Sequence, residues 1–238
     1  MKPLTVLAWD TSTDRPAAAL IRWRKGETEV LADYAGDSGP HSQLLPPQAA
    51  RMLAENGLAP GQVDLMVVGR GPGSFTGLRT GLALAKGLAL GCGRPVLGLG
   101  TFEVLATQIL AAEPDKDVLA VPLIDARHGE VFTVLCDRKG QIRPPSALSP
   151  GELATVLGTY AGERPIRVGG PALHLVQDAL AASELQASSG EEARIVSAVV
   201  LAELGAEIFQ AEPAACRLHP PLPIYIRSPD LRPVRMHL

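Results

Sequence analysis

A glycine-rich turn between an apolar strand and an apolar helix constrains the fold of this chain most. The turn lies in the stretch Gly69 to Gly81, which reads GRGPGSFTGLRTG. The apolar run Val63 to Val68 before it predicts a buried strand, and the apolar segment Phe75 to Leu90 after it predicts a helix. Ser74 stands where its hydroxyl can cap the start of that helix. Strand, tight turn and helix in this order are typical of α/β folds, and they can present backbone N–H groups to a phosphate.

The glycine spacing completes neither of the common phosphate-binding motifs. A dinucleotide-binding fingerprint that begins at Gly71 requires glycine where the chain has Thr76, and the Gly-Lys-Ser/Thr ending of a P-loop is absent. Phosphate binding at this turn is therefore one interpretation, and a purely structural turn is the other.

The predicted helix is apolar on almost every face. Arg79 and Lys86 are its only charged residues, and small residues recur at every fourth position from Gly77 and Gly81 onward. A glycine inside a helix costs about 1 kcal/mol relative to alanine, so close approach of another backbone must compensate. That backbone belongs either to the same domain or to a second polypeptide, and the sequence leaves both interpretations open.

The overall composition restricts the class of protein further. The net charge of −3 argues against a general binder of nucleic acid or anionic membranes. Cys92, Cys136 and Cys216 match neither a disulfide framework nor a zinc-binding spacing, which favours a reducing, cytoplasmic location. The sequence predicts no signal peptide. It also predicts no membrane span, because the most apolar helix is short and carries two cations.

The two halves of the chain begin in the same way. A predicted strand ends at Asp10 in the first half and another ends at Asp125 in the second. Each is followed by a second strand and by an Arg-Lys-Gly turn, at Arg24 and at Arg138 respectively. This weak internal repeat predicts two related α/β lobes, at residues 1–113 and 114–238, with an extended tail at the end of the second.

At this point the motifs resemble those of a known family. The stretch Gly71 to Gly81 is similar, nearly letter for letter, to the signature of the TsaB family of bacterial tRNA threonylcarbamoyladenosine biosynthesis proteins. Supporting segments are Asp10–Ser12, His41–Pro46, Ile124–Arg127 with Glu130–Val131, and Pro223–Arg227. The resemblance implies an actin/hsp70/sugar-kinase fold, an α/β architecture of two ribonuclease H-like lobes, each a mixed sheet with flanking helices. That expectation agrees with the internal repeat.

The same resemblance implies a role in a multi-subunit reaction. It implies a subunit that helps to install a threonylcarbamoyl group on the adenosine next to the tRNA anticodon and that is the non-catalytic paralogue of the transferase TsaD. The ATPase TsaE joins these two subunits. The paired metal-binding histidines of the catalytic paralogue correspond to Thr101 and Leu105, so neither a metal site nor a catalytic site is expected here. The alternative is a small-molecule kinase of the same superfamily.

The resemblance also implies a remnant of a nucleotide site. Asp10, Thr11 and Ser12 resemble the first phosphate loop of the superfamily, whereas the loop at Asp125 departs from the second by carrying the bulky cation Arg127. We expect no cofactor to bind tightly to this subunit alone, and we expect ATP to be used by the assembled complex.

The expected partner surface lies on two helices, which begin at His41 and Ser74 and would pack against the equivalent helices of TsaD. Its residues would be Ser42, Leu45, Met52, Gly77, Leu78, Gly81 and Leu82. Without TsaD, a homodimer is expected through the same surface, and Gly81→Leu is expected to weaken partner binding while leaving the fold intact. Contact with tRNA is expected to be indirect, with the basic tail Arg227, Arg232 and Arg235 exposed to solvent.

Overall fold

Two five-stranded sheets with flanking helices make up the computed structural model of this protein. The structure describes residues 2–114, 116–212 and 214–227. Arg232 and Arg235 of the expected basic tail lie outside the described residues. The two-lobe α/β fold predicted from the internal repeat is confirmed.

The first sheet is built around the strand that ends at Asp10. The elements of this part are β1 (Leu4–Asp10), β2 (Ala17–Arg24), β3 (Glu27–Ala35), α1 (His41–Glu55), β4 (Leu65–Gly69), α2 (Phe75–Cys92), β5 (Val96–Leu99) and α3 (Thr101–Ala111). The strand order is β3-β2-β1-β4-β5, with β1 antiparallel to β2 and parallel to β4. As predicted, the Ser74 side chain caps α2 by accepting from the backbone N–H of Gly77.

The second sheet repeats this arrangement around the strand that ends near Asp125. Its part of the chain contains β6 (Leu119–Arg127), β7 (Glu130–Asp137), β8 (Gly140–Leu148), α4 (Pro150–Tyr160), β9 (Ile166–Gly169), α5 (Gln177–Ala181), β10 (Ala187–Ser189), α6 (Ala198–Ala211) and α7 (Ala215–Leu218). The order is β10-β9-β6-β7-β8, and β6 is antiparallel to β7 and parallel to β9. The central strand of each sheet therefore has one antiparallel neighbour and one parallel neighbour.

A helix from each part of the chain packs on the sheet of the other. Helix α6 lies across β1, β2 and β4, and α3 contacts β6, β7 and β9. A Cβ atom on Gly205 would stand 2.4 Å from Cγ2 of Val67, so α6 approaches the first sheet very closely. One continuous apolar core, which includes Val67, Leu105, Ile124 and Leu201, therefore joins the two sheets.

The outer face of the first sheet is covered by α1 and α2, and their burial corrects the expected partner surface. Leu45, Met52, Leu78 and Leu82 all belong to the apolar core between these helices and the sheet. Their side chains are already inside the monomer, because they form the stripes with which the two helices pack on β1, β2 and β4. They cannot supply exposed apolar area to a partner.

The small-residue stripe of α2 is also an internal contact. A Cβ atom on Gly77 would stand 2.1 Å from the carbonyl oxygen of Thr11, and one on Gly81 would stand 2.3 Å from Oγ1 of Thr11. The backbone that compensates for these two glycines therefore belongs to the same lobe. Gly81→Leu is consequently a poor probe of partner binding, because a larger side chain would collide with Thr11.

Candidate interlobe site and outward helix face

Asp10 ends β1 with its carboxylate turned into the protein. The residue is 1% exposed. One oxygen, Oδ1, accepts from the backbone N–H of Ser12 at 2.7 Å and from the Ser12 hydroxyl at 2.5 Å. The other oxygen, Oδ2, accepts from the hydroxyl of Thr101 at 3.0 Å. Internal donors therefore use both oxygens of the carboxylate that begins the predicted phosphate loop.

Burial also changes the acidity of this carboxyl. Removal from water raises the pKa of Asp10 above its ordinary value, while the hydrogen bonds from Ser12 and Thr101 and the charge of His41 oppose that rise. A carboxyl group whose charged form is disfavoured is a weak ligand for a cation. Both oxygens of the Asp10 carboxylate in the predicted phosphate loop are thus already hydrogen-bonded within the chain.

The rest of this loop is bound to the start of α2. The Thr11 hydroxyl donates to the carbonyl oxygen of Gly77 at 2.8 Å, and the backbone N–H of Ser74 donates to the carbonyl oxygen of Ser12 at 2.6 Å. Thr11 is fully buried, so of the three predicted loop residues only Ser12 borders a cavity. The helix start therefore packs on the loop, where a nucleotide phosphate would otherwise approach it.

A cavity of about 490 Å³ lies between the lobes beside this loop. Ser12, Ser74 and Phe75 border it from the first lobe, and Asp125, Arg127 and His174 border it from the second. The Asp125 side chain accepts from the backbone N–H of Arg127 at 2.7 Å and forms an ion pair with its guanidinium at 3.3 Å. Asp125 therefore holds the Arg127 side chain in the wall of the cavity.

Ser42 and His41 lie outside this cavity. Ser42 is exposed, in contrast to the other residues of the expected partner surface. Both residues border a smaller cavity of about 280 Å³, where the ring nitrogen Nε2 of His41 lies 3.2 Å from the carbonyl oxygen of Asp14. His41 is thus part of the packing between the start of α1 and the first loop.

Thr101 and Leu105, the positions that the resemblance matches to metal-binding histidines, make internal contacts in this structure. The Thr101 hydroxyl donates to Asp10, and Leu105 is fully buried in the core that joins the lobes. Among the residues that the structure describes, no cluster of three or more His, Cys, Asp or Glu side chains could hold a metal ion.

An exposed surface exists on α2, away from the buried sides of Gly77 and Gly81. Its small and apolar residues, called here the outward face of α2, are Ala83, Gly87, Leu90 and Gly91, and the exposed cations Arg79 and Lys86 lie beside them. Leu90 is 87% exposed, and a Cβ atom on Gly87 or Gly91 would meet no other atom within 4 Å. Gly77 and Gly81 are thus buried against Thr11, whereas Gly87 and Gly91, which are offset from that stripe in the helical spacing, face open space.

Comparisons with known proteins agree with this geometry. Residues 37–162, more than half of the chain, match the family model described as TsaD: tRNA N6-adenosine threonylcarbamoyltransferase. The Haemophilus influenzae tRNA threonylcarbamoyladenosine biosynthesis protein TsaB is 38% identical over 132 residues, which cover 56% of this chain and 53% of that protein. An uncharacterized Mycobacterium bovis protein is 30% identical over 236 residues, 97% of this chain and 95% of that one. The chain matches about half the length of its curated TsaB relatives.

Solved structures define first the class and then the family. The activator of 2-hydroxyisocaproyl-CoA dehydratase from Clostridium difficile superposes with a TM-score of 0.52 at 9% identity over 89% of this chain and 97% of that one, a likeness of fold alone. The fold is thus the two-lobed actin/hsp70/sugar-kinase class. YeaZ from Pseudomonas aeruginosa superposes with a TM-score of 0.70 at 25% identity, over 93% of this chain and 99% of that one. Within the TsaD-like proteins, this chain belongs to the TsaB family.

Membrane insertion by a helix finds no support in the described part of the chain. None of its helices combines the length and the apolar character that crossing a bilayer requires.

Proposed function

We propose that this chain is a subunit of the apparatus that makes threonylcarbamoyladenosine in tRNA, and that it acts by binding TsaD rather than by catalysing the transfer. Family membership supports the pathway, since the curated relatives are named for it. The match of residues 37–162 to the TsaD family model supports a paralogous relationship between the two subunits.

The outward face of α2 is the observation that carries the binding role. Leu90 projects into solvent, while Gly87 and Gly91 leave the helix backbone open to close approach. Exposed apolar area bordered by charged groups, here Leu90 with the cations Arg79 and Lys86 beside it, is typical of a protein contact. Because α1 packs beside α2, the two helices together offer a surface on which a second helix pair can lie.

The interlobe site supports a division of labour between the subunits. Asp10 is occupied by internal donors, and Thr101 and Leu105 stand where the paralogue would bind metal. In this proposal TsaD carries the transfer site, TsaE joins the complex as its ATPase, and this chain alone holds no nucleotide tightly.

A helix glycine on the outward face provides a direct test of TsaD binding. Gly87→Leu fits the open space around the helix, so the fold should persist while the added side chain blocks close approach. We expect captured TsaD to fall at least tenfold in a pull-down assay. The matched control is Gly151→Leu, at an exposed helical glycine of α4 that also has no neighbour within 4 Å. Equal capture by both variants would exclude the outward face as the binding surface.

The pathway itself is tested by nucleoside analysis. Deleting the gene and digesting bulk tRNA to nucleosides should show loss of threonylcarbamoyladenosine, and the wild-type gene should restore it. Unchanged levels of the modified nucleoside would indicate an α/β protein that retains the fold but has no role in this pathway.

The same face should pair two copies of this chain when TsaD is absent. Light scattering at micromolar concentration is then expected to show a homodimer for the wild type and a monomer for Gly87→Leu. A strictly monomeric wild type would remove this part of the proposal.

The kinase alternative rests on the interlobe cavity of about 490 Å³. It requires ATP to bind to the isolated chain, which isothermal titration measures directly. Because the oxygens of Asp10 are already used, we expect no binding at millimolar ATP. A dissociation constant in the millimolar range or below, with turnover on a small substrate, would favour the kinase.

A further inference from the structure

A cavity of about 460 Å³ lies beside α3 and shares no lining residue with the interlobe cavity described above. Gly71 and Pro72 border it, whereas the next residues of the glycine-rich turn, Gly73 and Ser74, border the interlobe cavity. Its other walls are α3 from the first lobe, the hairpin β7–β8 from the second, and the segment after α7. Cavities of this size, at a junction between lobes, are where proteins commonly bind small molecules. It is called here the α3 cavity.

The body of the α3 cavity is apolar. Its apolar side chains come from both lobes and from the segment after α7, and they include Phe102, Ala106, Leu110, Val134, Pro145 and Ile224. The backbone N–H of Ile224 donates to the carbonyl oxygen of Arg70 at 2.7 Å, so this wall is fixed against the glycine-rich turn. A molecule that enters the cavity can therefore bury an apolar body against side chains that are already in place.

The thiol of Cys136 also borders the α3 cavity. Burial raises the pKa of this thiol to about 12, and the charge of the neighbouring Asp137 acts in the same direction. The thiol therefore stays protonated at neutral pH, and its sulfur lies 3.6 Å from the carbonyl oxygen of Ala120. Cys136 is thus part of the apolar wall and not a nucleophile.

Two carboxylates border the α3 cavity, and they differ in their surroundings. Oδ1 of Asp137 accepts from the backbone N–H of Lys139 at 2.7 Å, and Oδ2 forms an ion pair with Arg164 at 3.1 Å. The Glu103 side chain is exposed and forms no hydrogen bond or ion pair with any residue that the structure describes. The unbalanced charge among the described residues around this cavity is therefore negative.

We propose that the α3 cavity binds a small molecule with an apolar body and one cationic end, of the arylalkylammonium class. The body packs among Phe102, Ala106 and Ile224, and the ammonium group pairs with Glu103. Charge complementarity selects the cation, because an anion of the same shape would be repelled by the same carboxylate. The site lies away from the outward face of α2, so this binding is a property beyond the proposed function.

An NMR titration of the full ¹⁵N-labelled chain with tryptamine tests the ligand class. Indole-3-propionate is the matched control, because it has the same ring and a side chain of similar length that ends in a carboxylate. Tryptamine should shift the backbone amide signals of Thr107, Cys136 and Ile224 in a saturable way, and indole-3-propionate should bind at least about fivefold more weakly. Equal binding of the two compounds, or no saturable shift with tryptamine, would overturn the proposal.

Filling the α3 cavity tests the location of the site. Ala106→Leu places a larger apolar side chain in the cavity, so we expect tryptamine to bind at least about tenfold more weakly. The matched control is Ala83→Leu, at an exposed alanine of α2 that does not border the cavity. Circular dichroism melts show whether each variant is folded. Unchanged affinity in folded Ala106→Leu would contradict binding in this cavity.

Removing the free carboxylate tests the charge contact. Glu103→Gln should weaken tryptamine binding about two- to fivefold, the range of a solvent-accessible ion pair, and should strengthen binding of indole-3-propionate. Glu207→Gln, at an exposed glutamate of α6 away from the cavity, should change neither affinity. Parallel loss of both ligands in Glu103→Gln would show that the residue acts through the structure of α3 and would remove the ion pair from the proposal.

The pull-down assay separates this site from the proposed function. Ala106→Leu should capture TsaD as well as the wild type does, because it leaves the outward face of α2 unchanged. Failed capture by this variant alone would assign the α3 cavity to the partner surface in place of a small molecule. Failed capture by the wild type, together with tryptamine binding, would remove only the proposed function.

Discussion

At the scale of single residues, Asp10 shows how a carboxylate at a predicted site can be satisfied by donors from its own chain. The carboxylate still ends β1 at the cavity between the lobes, but donors from Ser12 and Thr101 use both of its oxygens. The sequence predicts the position of Asp10 well, since a strand followed by Asp-Thr-Ser is a local signal. It cannot predict that Thr101, which is 91 positions away, supplies one of the donors.

The raised pKa of Asp10 leads to a prediction about stability. Because the folded protein binds this proton more tightly than the unfolded chain does, ionisation above the raised pKa lowers the free energy of unfolding. Asp10→Asn cannot ionise, and its amide oxygen can still accept from Ser12. We expect a higher Tm than the wild type at neutral pH, with an advantage that disappears as the pH falls through the raised pKa of Asp10.

Thermal unfolding of both proteins across that pH range provides the measurement. A lower Tm for Asp10→Asn at neutral pH would show that the hydrogen bonds to the charged carboxylate outweigh the cost of burying it.

At the scale of elements, α2 carries two sets of glycines that serve different purposes. Gly77 and Gly81 let the helix approach the Thr11 backbone and side chain, whereas Gly87 and Gly91 face open space. The helix itself and its cap at Ser74 are predictable from a local pattern. The sequence does not predict which glycine stripe is buried, because an apolar helix with glycine on several faces does not reveal which face packs on its own sheet.

The two sets should respond oppositely to alanine. At Gly81 the new methyl group would lie 2.3 Å from Oγ1 of Thr11, so we expect a loss of about 1–3 kcal/mol from overpacking. At Gly87 no atom lies within 4 Å, and the better helix propensity of alanine should add about 0.5–1 kcal/mol. Urea unfolding of both variants measures the difference, and destabilisation of similar size at the two positions would contradict the assignment of the faces.

The two edge strands of the second sheet do not follow from the local sequence pattern. The sequence analysis predicts no strand at Gly140–Leu148, where Pro144 and Pro145 interrupt the apolar pattern, yet β8 forms there at the edge of the second sheet. Proline is tolerated on an edge strand, where one side of the backbone needs no partner. The polar stretch Ala187 to Glu192, whose composition predicts a loop, likewise contains the short edge strand β10.

At the scale of the whole molecule, the internal repeat predicts two related lobes correctly but does not predict that they exchange helices. Helix α6 comes late in the chain and packs on the first sheet, while α3 packs on the second. Such contacts join positions that are far apart in sequence, and no local pattern identifies the sheet that a buried helix will cover.

This exchange makes a prediction about the proposed lobe at residues 1–113. Expressed alone, this fragment lacks α6 and exposes the face of the first sheet that carries Val6, Ala8 and Val67, all fully buried in the complete chain. We expect it to be insoluble or to lack a cooperative unfolding transition, whereas the complete chain unfolds cooperatively. A soluble fragment with a sharp thermal transition would show that the boundary at 113 and 114 separates two independently folding units.

Helix α2 spans from the interlobe cavity to the protein surface. Its first turn is bound to Ser12 and Thr11 beside the cavity, and its last turn presents Leu90 to solvent. A single unbroken helix transmits displacement along its axis with little loss. Opening the Asp10 loop breaks the contacts that fix the first turn of α2, so the cavity and the outward face are held in place by one and the same helix.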